Sequence, residues 1–360
     1  MFNTSSRGPL FRPQQSLLYA SLALVGLLVL TLAPGITGFP SREQVYRGAD
    51  RRENLSGYVY QQLFTETKPV DVAILGSSHV AAGFHARRIQ EALSAHLGRT
   101  ATVVHLPSVF YGTDLHYILL RDLLAHRRVG LVLYDVDPNP HIPINPSLHR
   151  ILQAHEHWSA FAGLPRDTVI PLFALTVLVA PRQYLAALLT RDVPIVEATF
   201  AKTRGSDWLP DEAVPEELQA RLREHPCELD ELLHHGRQDE HLRFDLELPD
   251  YQAHFMERIV ELVAASQTRL ILVRIPFRHA AAEEVIRLPH RAQSWLERDG
   301  VPLLAVAPAR FFAGFNEAQI DQLYLPGDIL HFNTGGGYLH TRVTQTALLH
   351  AFDRYSRRPQ

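Results

Sequence analysis

A serine and a histidine–aspartate pair, far apart in the chain, are the side chains whose types and spacing could do chemistry. Ser78 follows an apolar run in the segment ILGSSHVAAGF, and Asp328 and His331 are three positions apart in LPGDILHFN. A serine hydroxyl becomes a strong nucleophile when a base takes its proton, and histidine titrates close to neutral pH. A carboxylate beside the imidazole fixes its tautomer and stabilises its protonated form. The three side chains predict acyl transfer or ester hydrolysis, with Ser78 as nucleophile and Asp328/His331 as its acid–base partners.

Each of these motifs also has a structural interpretation. Ser77 or Ser78 could simply cap the following helix, and in a chain with 20 histidines a D-x-x-H spacing arises readily by chance. The order of the motifs favours chemistry, because the serine follows the first predicted strand and the pair precedes the last predicted helix. In a parallel α/β sheet the carboxyl ends of the strands line the crevice in which ligands bind. There, the free N–H groups at a helix start would stabilise an oxyanion.

Apolar runs alternate with helix-like segments through much of the chain. The runs that predict strands cover 70–76, 102–107, 129–136, 269–275 and 301–306. The segments that predict helices cover 85–97, 113–128, 280–299 and about 338–353. Strands that alternate with helices are typical of βαβ units. We therefore expect an α/β fold, with a flavodoxin-like parallel sheet of about five strands, helices on both faces and a helical insertion.

The amino-terminal region predicts a transmembrane helix. Residues 16–39 carry no charge, and a membrane-spanning helix needs ~20 mostly apolar residues. A cleaved signal peptide is the alternative, but its apolar region is usually shorter and its small-residue cleavage site is poor here, since Pro34 follows Ala33. More arginines follow the segment than precede it, which taken literally disfavours a cytoplasmic amino terminus. Lone amino-terminal anchors of bacterial envelope proteins usually leave the catalytic domain outside. We therefore expect a single-pass inner-membrane protein with a periplasmic or extracellular body.

These features divide the chain into five parts. We predict a cytoplasmic tail (1–15), a transmembrane anchor (16–39) and a linker (40–69). A catalytic domain in two pieces follows (70–141 and 267–356), with a helical insertion or cap between them (142–266). Within the insertion, 168–189 is strongly apolar but contains two prolines and an arginine. Those residues disfavour a membrane-spanning helix. They favour a buried helix or one that lies against a membrane. The charged residues 200–250 predict a cap over the sheet edge.

Composition narrows the function classes. The chain is 46% hydrophobic with a net charge of -3, so it is typical of a packed protein and offers no basic surface for nucleic acid. A single cysteine, Cys227, excludes an intrachain disulfide. The histidine clusters at 155–157 and 234–235 lack a recognised metal spacing. We expect no metal and no cofactor.

The two motifs together resemble the SGNH (GDSL-like) hydrolases. In that family the nucleophilic serine follows strand one in a G-D-S motif, and a D-x-x-H motif precedes the final helix. Gly76, Ser77 and Ser78 match the first motif with serine in place of the usual aspartate, and Asp328 and His331 match the second. The resemblance implies an oxyanion hole formed by the backbone N–H of Ser78, by Gly112 after strand two and by Asn139 after strand three. The resemblance covers about 70–136 and 269–353, and the usual G-x-N-D around the third position is absent.

An anchored member with a G-S-S motif looks like the envelope-modifying acyltransferases and esterases of this superfamily. That resemblance implies transfer of an O-acetyl or similar acyl group to or from a cell-envelope or exported polysaccharide, beside a membrane-bound O-acyltransferase as partner. The D-x-H-W signature of the alginate-modifying group is missing. Two alternatives stay open. The chain could be a non-catalytic scaffold for such an acyltransferase or a polysaccharide-export complex, or it could hydrolyse a lipid or peptide ester without a partner.

Overall fold

The computed structural model describes most of the chain. The described residues are 13–49, 57–107, 112–137, 144–145, 147–190, 216–224, 226–236 and 239–356. The chain divides into two compact units. One contains Met1–Ala49 and His149–Pro194, and the other contains Asp50–Leu148 and Ile195–Gln360.

The second unit is built on a mixed sheet of six strands in which parallel pairs dominate. Eight strands are described, namely β1 (Val70–Gly76), β2 (Val103–Pro107), β3 (Val129–Asp135), β4 (Leu233–His234), β5 (Leu242–Leu246), β6 (Arg269–Arg274), β7 (Ile286–Pro289) and β8 (Leu303–Ala305). The main sheet has the order β2-β1-β3-β6-β8-β4, and β5 pairs with β7 in a separate two-stranded sheet. In the main sheet only β4, at one edge, runs antiparallel to its neighbour. The central strands are buried along nearly their whole length, as expected for parallel strands covered by helices.

Helices connect these strands and cover the sheet. The helices of this unit are α3 (Gly57–Tyr60), α4 (Ser78–Gly83), α5 (Ala86–Leu97), α6 (Thr113–His126), α10 (Glu216–Glu224), α11 (Leu229–Leu232), α12 (Asp250–Ala265), α13 (His290–Glu297), α14 (Pro308–Phe311), α15 (Glu317–Asp321) and α16 (Thr334–Ser356). Helix α5 packs with α16, and α6 packs with α12. The shared core includes Ile74 and Leu133 from the sheet and Leu93 and Leu348 from the α5–α16 pair.

The predicted elements are largely present, with three differences. The sheet has six strands rather than five, because β4 pairs at the edge with β8. Segment 142–266, predicted as a helical insertion, therefore also supplies strands β4 and β5. Segment 280–299, predicted as one helix, divides into β7 and α13. In β7 the buried Ile286 and Leu288 flank an exposed Arg287, a period-2 pattern too short to stand out between helix-forming neighbours.

The first unit is helical. Its helices are α1 (Pro13–Thr37), α2 (Arg42–Gly48), α7 (Leu148–Ile151), α8 (His157–Ala160) and α9 (Arg166–Thr190), α7 beginning one residue before the unit's boundary. Helix α1 is long and apolar enough to cross a membrane, although a signal sequence has the same properties. Helix α2 lies in the predicted linker and begins with a capping box between Ser41 and Gln44.

Candidate active site

The turn after β1 places the candidate nucleophile. Strand β1 ends at Gly76, which has a φ of 157°; a Cβ there would lie 2.6 Å from Cγ2 of Val80. Glycine is therefore needed for the chain to turn into α4 at this point. Ser77 caps α4, since its Oγ accepts a hydrogen bond from the N–H of His79 at 3.2 Å. Ser78 is the first residue of α4 and remains partly exposed, so its hydroxyl is open to a substrate.

A second turn places the candidate base. The N–H of Asp328 donates to the carbonyl of Leu325 at 2.9 Å, and Gly327 between them has a φ of 75°. Pro-Gly at the centre of such a turn is typical of type II geometry. Oδ1 of Asp328 then accepts from the N–H groups of Leu330 at 2.7 Å and His331 at 3.2 Å. These two bonds hold the carboxylate against the histidine three positions later.

The two turns meet. Oγ of Ser78 lies 2.8 Å from Nε2 of His331, and Nδ1 of His331 lies 2.6 Å from Oδ2 of Asp328. With the proton of the ring on Nδ1, that atom donates to the carboxylate and Nε2 accepts the hydroxyl proton of Ser78. This is the arrangement in which a histidine acts as general base toward a serine.

Helix α16 holds the two turns in register. It begins three residues after His331, and its His340 lies with Nδ1 2.8 Å from the carbonyl of Gly83, at the end of α4. One residue further along α16, Oγ1 of Thr341 accepts from the N–H of His85 at 2.7 Å. Both contacts are buried, so the helix that follows the base is fixed to the end of the helix that carries the nucleophile.

The electrostatic state of Asp328 suits its position. Burial disfavours its charged form, but the N–H of Leu330 and the side chain of His331 outweigh burial and hold the pKa of Asp328 below its ordinary value. The carboxylate is therefore ionised at neutral pH. The side chains of His331 and Asp328 are 25% and 30% exposed, so the pair borders solvent rather than the core.

A buried charged network lies directly beside this triad. Nδ1 of His79 lies 3.3 Å from Oδ2 of Asp137, whose other oxygen is paired with Arg274. Oγ of Ser77 donates to Oδ2 of Asp135 at 3.2 Å, and Oδ1 of Asp135 accepts the N–H of Asp137 at 3.1 Å. The network ties the residues on either side of the nucleophile to the ends of β3 and β6.

The network includes a histidine whose ring packs against the candidate base. The ring centroids of His79 and His331 are 4.8 Å apart. Burial disfavours the charged form of His79 and lowers its pKa to about 4, despite the nearby Asp135. His79 is therefore neutral at pH 7. Phe277, which follows β6, covers the other side of His79 with its ring centroid 5.0 Å away.

The predicted oxyanion donors lie partly within the described residues. Gly112 is the residue that caps α6, and one turn later His116 contacts the carbonyl of Gly76. Gly112 thus lies at the amino-terminal end of a helix whose first turn contacts the residue where β1 ends. A Cβ on Gly112 would lie 2.4 Å from Cβ and 2.6 Å from Nδ2 of Asn145. Asn139 lies outside the described residues.

Asn145, which no sequence motif indicated, packs against Gly112, the predicted oxyanion donor. Its side chain is 2% exposed and lies against Gly112; its N–H donates to Oδ2 of Asp114 at 3.0 Å, and its Oδ1 accepts the N–H of Ser147 at 2.8 Å. The first bond fixes the backbone of Asn145, and the second fixes its side-chain amide, whose Nδ2 lies against Gly112 at the start of α6. No pattern around Asn145 indicated this position, because the I-N-P sequence indicates only a loop.

Comparison with known proteins adds nothing to this geometry: no family model and no curated protein matches the chain. The interpretation of the site therefore depends on the positions of its own side chains. Among the described residues no group of three or more histidine, cysteine, aspartate and glutamate side chains is arranged to hold a metal ion.

Proposed function

We propose that the protein is a serine-dependent acyltransferase or esterase of the SGNH type. The observation that supports this most strongly is the continuous chain of contacts from Ser78 through His331 to Asp328, at 2.8 Å and 2.6 Å. The sheet also supports it. Without the antiparallel edge strand β4, the order is β2-β1-β3-β6-β8. Numbered along the chain, these five strands are in the order 2-1-3-4-5 that is typical of flavodoxin-like sheets. Ser78 follows the carboxyl end of β1, which lies between β2 and β3.

The proposed reaction has two balanced halves. Nε2 of His331 takes the hydroxyl proton of Ser78 while Oγ attacks the ester carbonyl, and Asp328 stabilises the imidazolium that forms. The imidazolium then gives its proton to the departing alcohol, which leaves an acyl group on Ser78. A glycan hydroxyl, or water, attacks that acyl group with His331 again as base, and Ser78 is released with its proton restored.

The oxyanion of each tetrahedral intermediate needs hydrogen-bond donors. The backbone N–H groups of Ser78 and Gly112 are proposed for this role, with Asn139 as predicted from the resemblance. Because the amide of Asn145 lies against Gly112 and is buried, it is a further candidate for supporting this group of donors. Loss of one such donor typically lowers kcat by ~10²–10³.

The substrate class and location are part of the proposal. In this proposal helix α1 is a membrane anchor that tethers the catalytic unit, and the substrate is an O-acetyl or similar acyl group on a cell-envelope or exported polysaccharide. A membrane-bound O-acyltransferase is the proposed partner that would supply the acyl group. The proposed location is the inner membrane, with the catalytic unit on the periplasmic or extracellular side.

An active-site-directed fluorophosphonate tests the proposal. We expect the full-length, folded protein to be labelled at Ser78, with labelling abolished in Ser78→Ala and strongly slowed in His331→Ala. Ser294→Ala is the matched control, since it removes an exposed hydroxyl on α13 that bonds only the carbonyl of Arg291 among the described contacts, and it should keep labelling. Absence of labelling in folded wild-type protein would favour the non-catalytic scaffold.

A second assay separates transfer from hydrolysis. An activated acetyl ester is supplied with and without an oligosaccharide acceptor, and the products are followed by mass spectrometry. Acetylated oligosaccharide identifies a transferase, whereas free acetate alone, at a rate that the acceptor does not change, identifies a hydrolase.

A further inference from the structure

The distribution of polar and apolar side chains on helix α9 is the reverse of that on a surface helix of a water-soluble protein. Its buried face is made of small or polar residues along with two larger apolar ones, namely Val169, Leu172, Thr176, Ala180, Gln183 and Ala187. Its large apolar side chains are instead exposed, with Leu178 at 67%, Leu185 at 58% and Leu189 at 69%. In its most apolar window only 28% of the residues are buried. A helix that turns its leucines outward and its glutamine inward is suited to hydrocarbon rather than water on its outer side.

The buried side chains of Thr176 and Gln183 both have hydrogen-bond partners, and those of Gln183 fix the orientation of α9. Nε2 of Gln183 donates to the carbonyl of Leu152 at 3.0 Å and approaches those of His149 and Arg150 at 3.3 Å and 3.2 Å. A Cβ on Gly48 in α2 would lie 2.9 Å from Cβ of Ala186, so α2 packs closely on the same helix. Rotating α9 to bury its leucines would break these contacts and leave Gln183 without its backbone partners.

The chain topology excludes a crossing of the membrane by α9. Strand β3 precedes α9 and strand β6 follows it, yet the two are hydrogen-bonded neighbours, with Leu131 opposite Arg269. A single crossing would put these strands on opposite sides of the membrane. A return crossing would need a second run of ~20 apolar residues between β3 and β6. Among the described residues of that stretch only α9 is long and apolar enough, and 191–215 contains eight charged residues. The helix therefore starts and ends on the same side.

The contact with α1 places α9 at one end of the anchor. In α1 all described side chains before Gly26 are exposed, and shielding begins with Leu27 and is greatest at Thr31, which is 4% exposed. Helix α9 packs against α1, and the ring of Phe39, two residues beyond the end of α1, lies 5.5 Å from that of Tyr184. Helix α9, whose own large apolar side chains are exposed, thus packs near the carboxyl-terminal end of an exposed apolar helix.

We propose that α9 is a second membrane-binding element, which lies along one face of the bilayer with its exposed apolar side in the acyl-chain boundary. The inference does not depend on the proposed enzyme activity. A helix of 25 residues is ~37 Å long, so it would form a broad contact parallel to the membrane. Beyond the charged first turn of α9, which contains Arg166 and Asp167, the one charge on its exposed face is Arg182. It suits an interfacial position, where a long cationic side chain reaches the lipid headgroups.

Spin labels on the full-length protein test this proposal. In a Cys227→Ser background, single cysteines replace Leu178, Leu185 and Leu189 on the exposed face, and Ala180 on the buried face serves as the matched control. The labelled protein is reconstituted in vesicles of phosphatidylcholine and phosphatidylglycerol. Collision rates with oxygen, which concentrates in the bilayer, and with a nickel chelate, which stays in water, report what surrounds each position.

We expect the exposed-face labels to collide several-fold more with oxygen than with the chelate, at one shallow depth for all three positions. The Ala180 label should be protected from both. Three results would overturn the proposal: chelate access at the leucine positions, which means water; protection from both agents, which means a protein partner; or a depth that changes steadily along the helix, which means a crossing segment.

Quenching of tryptophan fluorescence by brominated lipid tests the same contact without cysteine variants, which could misfold. Trp158 is 59% exposed and stacks on Phe173 of α9 with ring centroids 5.3 Å apart. Brominated phosphatidylcholine should quench a fraction of the tryptophan emission of the otherwise native protein, and that fraction should disappear in Trp158→Phe. Equal quenching of both proteins would contradict a membrane contact at this end of α9.

Discussion

Replacing Asp328 with asparagine is the most informative perturbation of the site, because it keeps the shape and changes the proton. In the native turn, Oδ1 of Asp328 is held by the N–H groups of Leu330 and His331, and Oδ2 receives the Nδ1 proton of His331. An amide has one oxygen, which the two N–H groups retain. Its NH₂ group then faces Nδ1 and drives the ring proton onto Nε2, the atom that must accept the proton of Ser78.

The size of the effect follows from the lost charge. Two unit charges about 4 Å apart attract by ~4 kcal/mol at an effective dielectric constant of ~20. That corresponds to a loss of ~10³ in rate, since each ~1.4 kcal/mol is a factor of ten. Because the side chains of His331 and Asp328 are 25% and 30% exposed, solvent screens part of this attraction. We expect kcat to fall by ~10²–10³.

The assay is hydrolysis of a chromogenic acetyl ester, followed together with the rate of fluorophosphonate labelling. The matched control is Asp353→Asn, which neutralises the partner of His96, at 2.9 Å, in an exposed pair far along α16 from the triad. Asp353→Asn should keep the wild-type rate. A folded Asp328→Asn protein with kcat within a factor of two of wild type would refute the proposed roles of the pair.

Three other substitutions test neighbouring parts of the structure. Gly112→Ala would place a Cβ 2.4 Å from Cβ of Asn145, so we expect kcat to fall by ~10² with a normal circular dichroism spectrum; an unchanged kcat would remove Gly112 from the oxyanion hole. Burial lowers the pKa of His105 from 6.5 to about 4. Between these pH values His105 is protonated in the unfolded chain but neutral in the folded protein, so the free energy of unfolding falls as the pH drops from 6.5 to about 4. His105→Leu should flatten that decline by up to about 1.4 kcal/mol per pH unit in urea unfolding at several pH values, and an identical slope would contradict this. Arg274→Met should lower the free energy of unfolding by ~3–5 kcal/mol, because it leaves the buried Asp137 carboxylate without its cationic partner. Adding Asp137→Asn should restore part of the lost stability. If Arg274→Met were instead more stable than the wild type, the ion pair would not be needed for stability.

The parts of the fold that follow from local patterns could be predicted from the sequence. The apolar run of β1 and the helical spacing in α5 each identify an element within a few residues, because strand and helix periodicity are properties of neighbours along the chain. The D-x-x-H motif is equally local. Pro326 and Gly327 determine the turn that sets Asp328 against His331, so this half of the triad is encoded within a few positions.

The parts that depend on contacts across the chain could not be predicted in this way. Strand β4 has two residues, and only its pairing with β8 makes it a strand. His79 and Arg274 come together through Asp137, which joins the ends of β3 and β6. No spacing in the sequence relates these three residues. Asn145 is recognisable only by its position against Gly112.

Helix α9 illustrates a different limit. The composition of segment 168–189 is compatible with a core helix or a membrane-facing one, because the two differ in which side faces the protein rather than in content. Its prolines and Arg182 argue against a clean span, but the decisive facts are the inward position of Gln183 and the outward position of Leu178. Those are known only once the partners of the helix are known.

The neutral state of His79 is a condition for the proposed chemistry. His331 must become positively charged when it takes the proton of Ser78, and the ring of His79 is 4.8 Å away by centroid. A positively charged His79 would repel that imidazolium and so raise the activation barrier, whereas the negative charge of Asp328 attracts the imidazolium and lowers the barrier. Burial under Phe277 prevents this, since it lowers the pKa of His79 to about 4. The second histidine of the site can therefore pack against the base and brace it without competing for positive charge.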